Sequence, residues 1–391
     1  MSVVRPVEPR VVAALPHVTT WSTRPRRVYV TPAEAHPFAW NQYSLSLRAL
    51  ADVARPRIHE LVATPDDADM IIVTDFQDDD VCASLRANQV LARYPDKCFV
   101  YTQLDRTAPL VRGVYASVPR SPFDLGRLRA GCYVYEACEW RNQFVSAEAA
   151  ARTEKDLLLS FVGRASAKVR VQLLTTDWHR PDVVVTQPRY NHWDRHTPDR
   201  AAHQRRYVET LARSRFVICP RGEGSSSERL FEVMEMGLVP VIISDSWVAP
   251  VGPKWEDFSV RVAERDVANV VSIVERYESR YRQRGRLARD EWLRWFSPQA
   301  QFNSIVEACA DIERTASVSE RDVRRLWPVL IASARAKKAT KRERDRVGQA
   351  LQRLRHGPGV ADRLCESPAG QAGHGSRGQA LDLPTGGQQH S

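Results

Sequence analysis

SRFVICPRGEGSSSERLFEVMEMGLVPVIIS, residues 214–244, is the stretch that decides the fold. Phe216–Cys219 is an apolar run of strand length, and PRGEGSSS (220–227) is rich in turn formers. ERLFEVMEMG (228–237) suits a helix, and VPVIIS (239–244) is a second apolar strand. Strand, loop, helix and strand within about thirty residues make a βαβ unit with a right-handed crossover. The loop then leaves the carboxyl end of a strand and feeds a helix N-terminus, where free backbone N–H groups and the helix dipole favour an anion. Gly222 and Gly224 let a ligand approach the backbone closely. Ser225 and Glu228 have the spacing of a capping box. Arg221 and Arg229 carry planar donor forks that match phosphate oxygens. Glu232, one turn into the helix, is placed to accept hydrogen bonds from ribose hydroxyls. Phosphate at the helix start and ribose one turn deeper form a coherent nucleotide geometry. The plainer alternative makes the serines a cap and Glu232 a surface charge. The 220–227 loop is neither a GK[ST] nor a GxGxxG loop, so ATPase and dehydrogenase readings are weak.

Working outward, RRVYV (26–30), ADMIIVT (68–74), CFVYT (98–102) and DLLLSFV (156–162) read as further strands. Helices are expected near 42–53 and 80–94, after Gly163, over 266–284 and 286–296, and at about 299–313. Strands alternating with helices predict an α/β protein with parallel sheets. Residues 177–203, rich in His, Asp, Arg, Trp and Pro, read as an irregular surface segment. The division expected is an extension over 1–24, α/β domains over 25–150 and 151–313, a helical segment over 314–356 and a disordered tail over 357–391. Nine of the 18 glycines lie beyond residue 347, which is why the tail is expected to be disordered.

Of 391 residues, 43% are hydrophobic and 27% charged, a globular composition with room for two cores. The net charge of +10 is uneven: residues 332–391 hold 11 Lys and Arg against 5 Asp and Glu. A basic tail can touch nucleic acid or acidic lipid, or be a solvated extension. The near-neutral body argues against nucleic acid as the partner. No apolar run approaches the roughly 18 residues of a membrane helix and no signal-peptide core is present, so a cytoplasmic protein is expected, with peripheral membrane association left open. Seven dispersed cysteines without a CxxC pair are expected as reduced thiols.

The run 214–250, followed by Trp255 and FSVRV (258–262), resembles the exostosin glycosyltransferase domain: a Cys-Pro-x-Gly loop, Ser-x-Arg, an acidic helix, Gly and a Pro-Val strand. FVGR (161–164) with Val169-Arg170, and PDDADMIIV (65–73), agree more weakly. The resemblance implies two Rossmann-like domains facing across a cleft (the GT-B architecture), of which the N-terminal one takes the acceptor. It also implies inverting transfer from a nucleotide sugar, expected to be UDP-linked, with no obligatory metal and no resident cofactor. Carried over, Gly222, Ser225, Ser226, Ser227 and Arg229 meet the diphosphate and Glu232 the ribose, while Gly163 and Arg164 line the same cleft. A chain without the membrane anchor of the animal members is expected, which counts against their secretory-pathway location and heparan-type substrate. A bacterial-style enzyme acting on a surface glycan or a small acceptor is the expectation.

Inverting displacement needs a general base near the acceptor hydroxyl and positive charge on the departing diphosphate. Asp105, in the loop after CFVYT, is the first candidate base, Asp75 the second and His36 a third. Asp105 is equally read as a loop carboxylate that caps a turn or pairs with Arg106. Asp67-Ala68-Asp69 and Asp78–Asp80 look like turn and cap carboxylates rather than a DxD metal site. The group Trp178, His179, His192, Trp193, His196 and His203 lacks zinc-ligand spacing. A non-catalytic nucleotide-sugar or anion-binding module of the same fold is the alternative function. Oligomeric state is not legible.

Overall fold

The computed structural model describes residues 24–33, 42–74, 81–105, 110–118, 126–136, 140–188, 190, 197–316, 318–332 and 336. The described residues up to 330 form one compact unit, containing two all-parallel sheets. The N-terminal sheet has the order β2-β1-β3-β4-β5-β6, built from β1 (Arg27–Pro32), β2 (Glu60–Leu61), β3 (Met70–Thr74), β4 (Cys98–Thr102), β5 (Gly113–Tyr115) and β6 (Leu128–Ala130). Its connections carry α1 (Gln42–Val53), α2 (Val81–Ala87) and α3 (Gln89–Arg93). The single helix expected over 80–94 is two, because Asn88 breaks the run and caps α3 by accepting from the Leu91 N–H at 2.8 Å. Every residue of β3 and β4 is buried, as parallel strands covered on both faces require.

α4 (Ala147–Arg152) leads into the C-terminal sheet, of order β11-β10-β9-β7-β8. Its strands are β7 (Leu157–Val162), β8 (Val183–Thr186), β9 (Ser214–Pro220), β10 (Val239–Ile243) and β11 (Val260–Val262). α5 (Lys168–Thr175) and α6 (Arg200–Ala212) precede β9 in the chain, and α7 (Glu228–Glu235) crosses from β9 to β10. The βαβ unit read from 214–244 is therefore present, with β9 and β10 in parallel register. α7 ends in a Schellman motif: Gly237 at φ +70 donates to Met234 and the Leu238 N–H reaches back to the Val233 carbonyl, both at 3.0 Å. The chain continues through α8 (Trp255–Phe258), α9 (Val270–Glu275), α10 (Tyr281–Trp295) and α11 (Pro298–Thr315). The two Rossmann-like domains of the expected fold class are thus both formed.

One boundary moves. The helix expected to close the second domain, α11, returns to the first: Phe302, Ile305, Val306, Cys309 and Ile312 join the core of β1, β3 and β4. The ion pair Arg26–Glu313 at 2.6 Å and the Arg55 N–H on the Gln299 carbonyl at 2.9 Å hold it there. Helical residues 320–330 also belong to the first lobe, through a buried bidentate Arg127–Glu320 pair at 2.8–3.0 Å and the Trp327 indole on the Leu110 carbonyl at 3.1 Å. A local apolar pattern shows that a helix has a buried face but not which sheet receives it. Cys98, Cys132, Cys219 and Cys309 are free and buried, and burial pushes the first three thiols up to about 12. Among the described residues no helix is long and apolar enough to cross a membrane. The expected extension over 1–24, apart from Arg24, and the expected tail over 357–391 lie outside the described residues.

Candidate active site

Because β7, β9 and β10 are parallel, their carboxyl ends share one edge of the sheet, and the 220–227 loop leaves from it. Opposite that edge stand the carboxyl ends of β4 and β5. The Ser225 hydroxyl donates to the Val118 carbonyl at 3.0 Å, and the Ser226 N–H reaches the Ser117 hydroxyl at 3.4 Å. A β-carbon at Gly224 would lie 2.4 Å from both Asp105 Oδ1 and Ser117 Oγ. The glycine-serine bend therefore sits at the boundary between the lobes, outside the core of either sheet. Asp105, exposed at the end of β4, is brought against it. Asp75 and His36 lie outside the described residues, as do Asp78–Asp80 and His192, Trp193 and His196.

Two local expectations are corrected. Ser225 does not cap the helix: Ser227 is the N-cap residue and makes no side-chain cap bond, while Ser225 is drawn to the other lobe. Arg221 does not hold its fork open for a phosphate: Nε and Nη2 bind Glu264 at 2.7 and 3.2 Å, and Nη1 donates to the Gly222 carbonyl at 3.2 Å. That carboxylate also accepts the Asp245 N–H at 3.2 Å, so Arg221 fastens the loop to the segment after β11.

Arg229, expected to meet the diphosphate, is buried at the second position of α7. Its guanidinium lies 4.8 Å over the Phe161 ring and donates to the Val162 carbonyl at 2.6 Å. It is 9% exposed, and its Nε and Nη1 are buried without a hydrogen-bond partner among the described residues. Leaving such donors unmade costs on the order of 1–3 kcal/mol each. Gly163 is adjacent: a β-carbon there would stand 2.9 Å from Arg229 Nη2. Arg164 follows, half-buried.

Arg170 of α5 carries more than its sequence position suggested. It donates to the Arg221 carbonyl at 2.9 Å and the Pro220 carbonyl at 3.1 Å, bracing the start of the loop. A β-carbon at Gly222 would lie 3.4 Å from its Nη2. Burial lowers this guanidinium to about 10, still charged at neutral pH.

Glu228, Glu232 and Glu235 of α7 line a small cleft of about 70 Å³ together with Tyr133 and Tyr135. Burial, then the charge of Glu232, pushes Glu228 up to about 8. Burial likewise raises Glu235 to about 7 despite Arg141. Glu232 is raised by burial and pulled back by the Tyr207 hydroxyl, which donates to its Oε2 at 2.6 Å, and by Arg229. At neutral pH Glu228 therefore keeps a proton that an exposed glutamate would have lost, and Glu235 keeps one in part. Sequence reasoning missed Ser117, Tyr133, Tyr135 and Tyr207. The alternation in CYVYE (132–136) hinted at a strand-like wall, but nothing local placed it beside α7.

Residues 141–277 match the family model described as the exostosin GT47 domain. An exostosin-1 homolog of Caenorhabditis elegans is 34% identical over 131 residues, covering 32% of this chain and 33% of that protein. A probable glycosyltransferase of Arabidopsis thaliana is 31% identical over 136 residues, 32% of this chain and 26% of the relative. A probable glucuronoxylan glucuronosyltransferase of the same plant is 39% identical over 94 residues, 22% and 21% of the two chains. The matches span a third or less of these curated relatives. Among solved structures, an alpha1,3-fucosyltransferase with GDP-fucose aligns at 12% identity over 78% of this chain and 94% of its own, with a TM-score of 0.38. Over residues 141–277 the chain is thus similar to the exostosin GT47 domain and to proteins named as glycosyltransferases.

Proposed function

We propose that the protein transfers a sugar from a nucleoside-diphosphate sugar, UDP-linked in the first instance, to a hydroxyl of a glycan or small acceptor, with inversion. The observation that carries this reading is the buried Arg229 with two unmade donors at the start of α7, beside Gly163. A diphosphate there gains both donors and the dipole of the helix N-terminus. In the reaction the acceptor oxygen bonds to the anomeric carbon as the bond to the diphosphate breaks with its electron pair. Asp105 takes the acceptor proton, while Arg229 and the amides of Gly224–Ser227 stabilise the leaving diphosphate. The positive charge needed comes from the chain itself, so the proposal includes no metal or resident cofactor.

One observation favours the non-catalytic alternative: Ser225 and Ser226 are already engaged by Val118 and Ser117. Incubation with UDP-sugars and a panel of glycan acceptors, read by mass spectrometry and by free UDP, separates the two. Transfer products support the enzyme. Tight UDP binding without product from any donor supports the binding module, and no nucleotide binding at all ends both.

A further inference from the structure

The hydroxyl of Tyr207, on α6, donates to Oε2 of Glu232, on α7, at 2.6 Å. The Tyr207 ring packs in the core beneath α7 and takes the Arg229 guanidinium at 5.8 Å. A carboxylate has two oxygens. With one tied to the phenol, the carboxylate is held in one orientation, and Glu232 lines the cleft. We propose that Tyr207 is the positioning residue that aims Glu232 at the ribose hydroxyls of the nucleotide, and so determines selectivity for a ribose over a sugar lacking those hydroxyls. This inference rests on the reading of Glu232 as a ribose ligand.

Three features support it. Tyr207 is a donor throughout the working pH range, because burial and then the charge of Glu232 hold its phenol well above the usual value. The hydroxyl bonds a carboxylate, and hydrogen bonds to charged groups are the stronger kind. Its removal as Tyr207→Phe keeps the ring, its packing and its contact with Arg229.

The bond also affects titration. Glu232 accepts from a ribose hydroxyl best when ionised, and burial opposes that state. The groups facing it are Tyr207 from α6, Cys219 from β9, Tyr190 from the segment after β8, and Glu228, Arg229 and Glu235 along α7. Tyr207 and Arg229 favour the charged form. Without the phenol, the loss of nucleotide binding on acidification begins at higher pH.

The test is calorimetric titration of the full chain with UDP and 2′,3′-dideoxy-UDP from pH 5 to 8, for wild type, Glu232→Gln and Tyr207→Phe. Expected for Tyr207→Phe are about tenfold weaker UDP binding, unchanged binding of the dideoxy form, and an acid limb moved upward in pH. The unchanged dideoxy affinity also shows that the variant is folded. If Tyr207→Phe binds UDP as wild type does while Glu232→Gln loses it, the positioning role is overturned and the ribose reading survives. If both nucleotides weaken equally, Tyr207 serves the fold and the proposal also fails. If Glu232→Gln leaves the preference for UDP intact, the ribose reading itself falls, and the inference with it.

Discussion

The backbone of Gly224 and the carboxylate of Asp105, from opposite lobes, are in contact: a β-carbon on the glycine would stand 2.4 Å from Asp105 Oδ1. A methyl group there collides with Asp105 Oδ1 and with the Oγ and Cβ of the buried Ser117. Gly224→Ala is therefore expected to cost about 1–3 kcal/mol of stability, as overpacking does. By moving Asp105 away from the loop, it should lower kcat/KM at least tenfold. Thermal unfolding and steady-state kinetics on the same preparation check both halves; equal kinetics would remove Asp105 from the reaction.

The two arginines of the loop region should behave differently. Arg229 has unmade donors at the proposed diphosphate site, whereas Arg221 is committed to Glu264. Arg229→Met is expected to weaken UDP binding by about 10- to 100-fold, the worth of a charge-assisted contact. Arg221→Met should change it less than about threefold, since that pair is partly exposed and modest in value. Titration of both variants decides the matter.

Stability should fall as the solution turns alkaline. Glu228 titrates near 8 and Glu235 near 7, both above the ordinary glutamate value of 4.5. Between those values and 4.5 the unfolded chain releases protons that the folded chain keeps. The stabilisation is complete below about pH 4.5 and lost as pH rises through 7 and 8. A Tm lower at pH 8 than at pH 5.5 by several degrees is expected, with Glu228→Gln flattening the slope. A Tm that rises over this interval would contradict the buried-carboxyl account.

The pair Arg127–Glu320 ties helical residues 320–330 to the first lobe, with both side chains at most 5% exposed. Glu320→Ala leaves a buried guanidinium without its counter-charge and should cost about 3–5 kcal/mol. Chemical denaturation measures this, with Glu320→Gln as a milder comparison that keeps the shape. A loss below about 1 kcal/mol would show the pair to be dispensable.

Much was legible in residues 214–244 alone. Strand period, a glycine-serine bend, an amphipathic helix and a glycine stop all act within about thirty residues, so local sterics and hydrogen bonding specify the βαβ unit. The exostosin resemblance rested on that same stretch, and the matching family domain covers it. Glu232 was legible as a carboxylate one turn into the helix, but not its bond to Tyr207, which depends on how α6 packs against α7.

The sequence by itself determined the strand, bend, helix and strand of 214–244, because those features depend on neighbours a few residues apart, but not β8 (Val183–Thr186) or the start of α6 within 177–203, which read as irregular. The tertiary structure alone decided that Arg221 turns to Glu264, that Ser225 reaches Val118 and that α11 joins the first lobe. Each of those outcomes is a competition for one donor or one apolar face among partners 43 to 107 residues or more away in the chain. Proximity on that scale is produced by packing, and no local pattern encodes it.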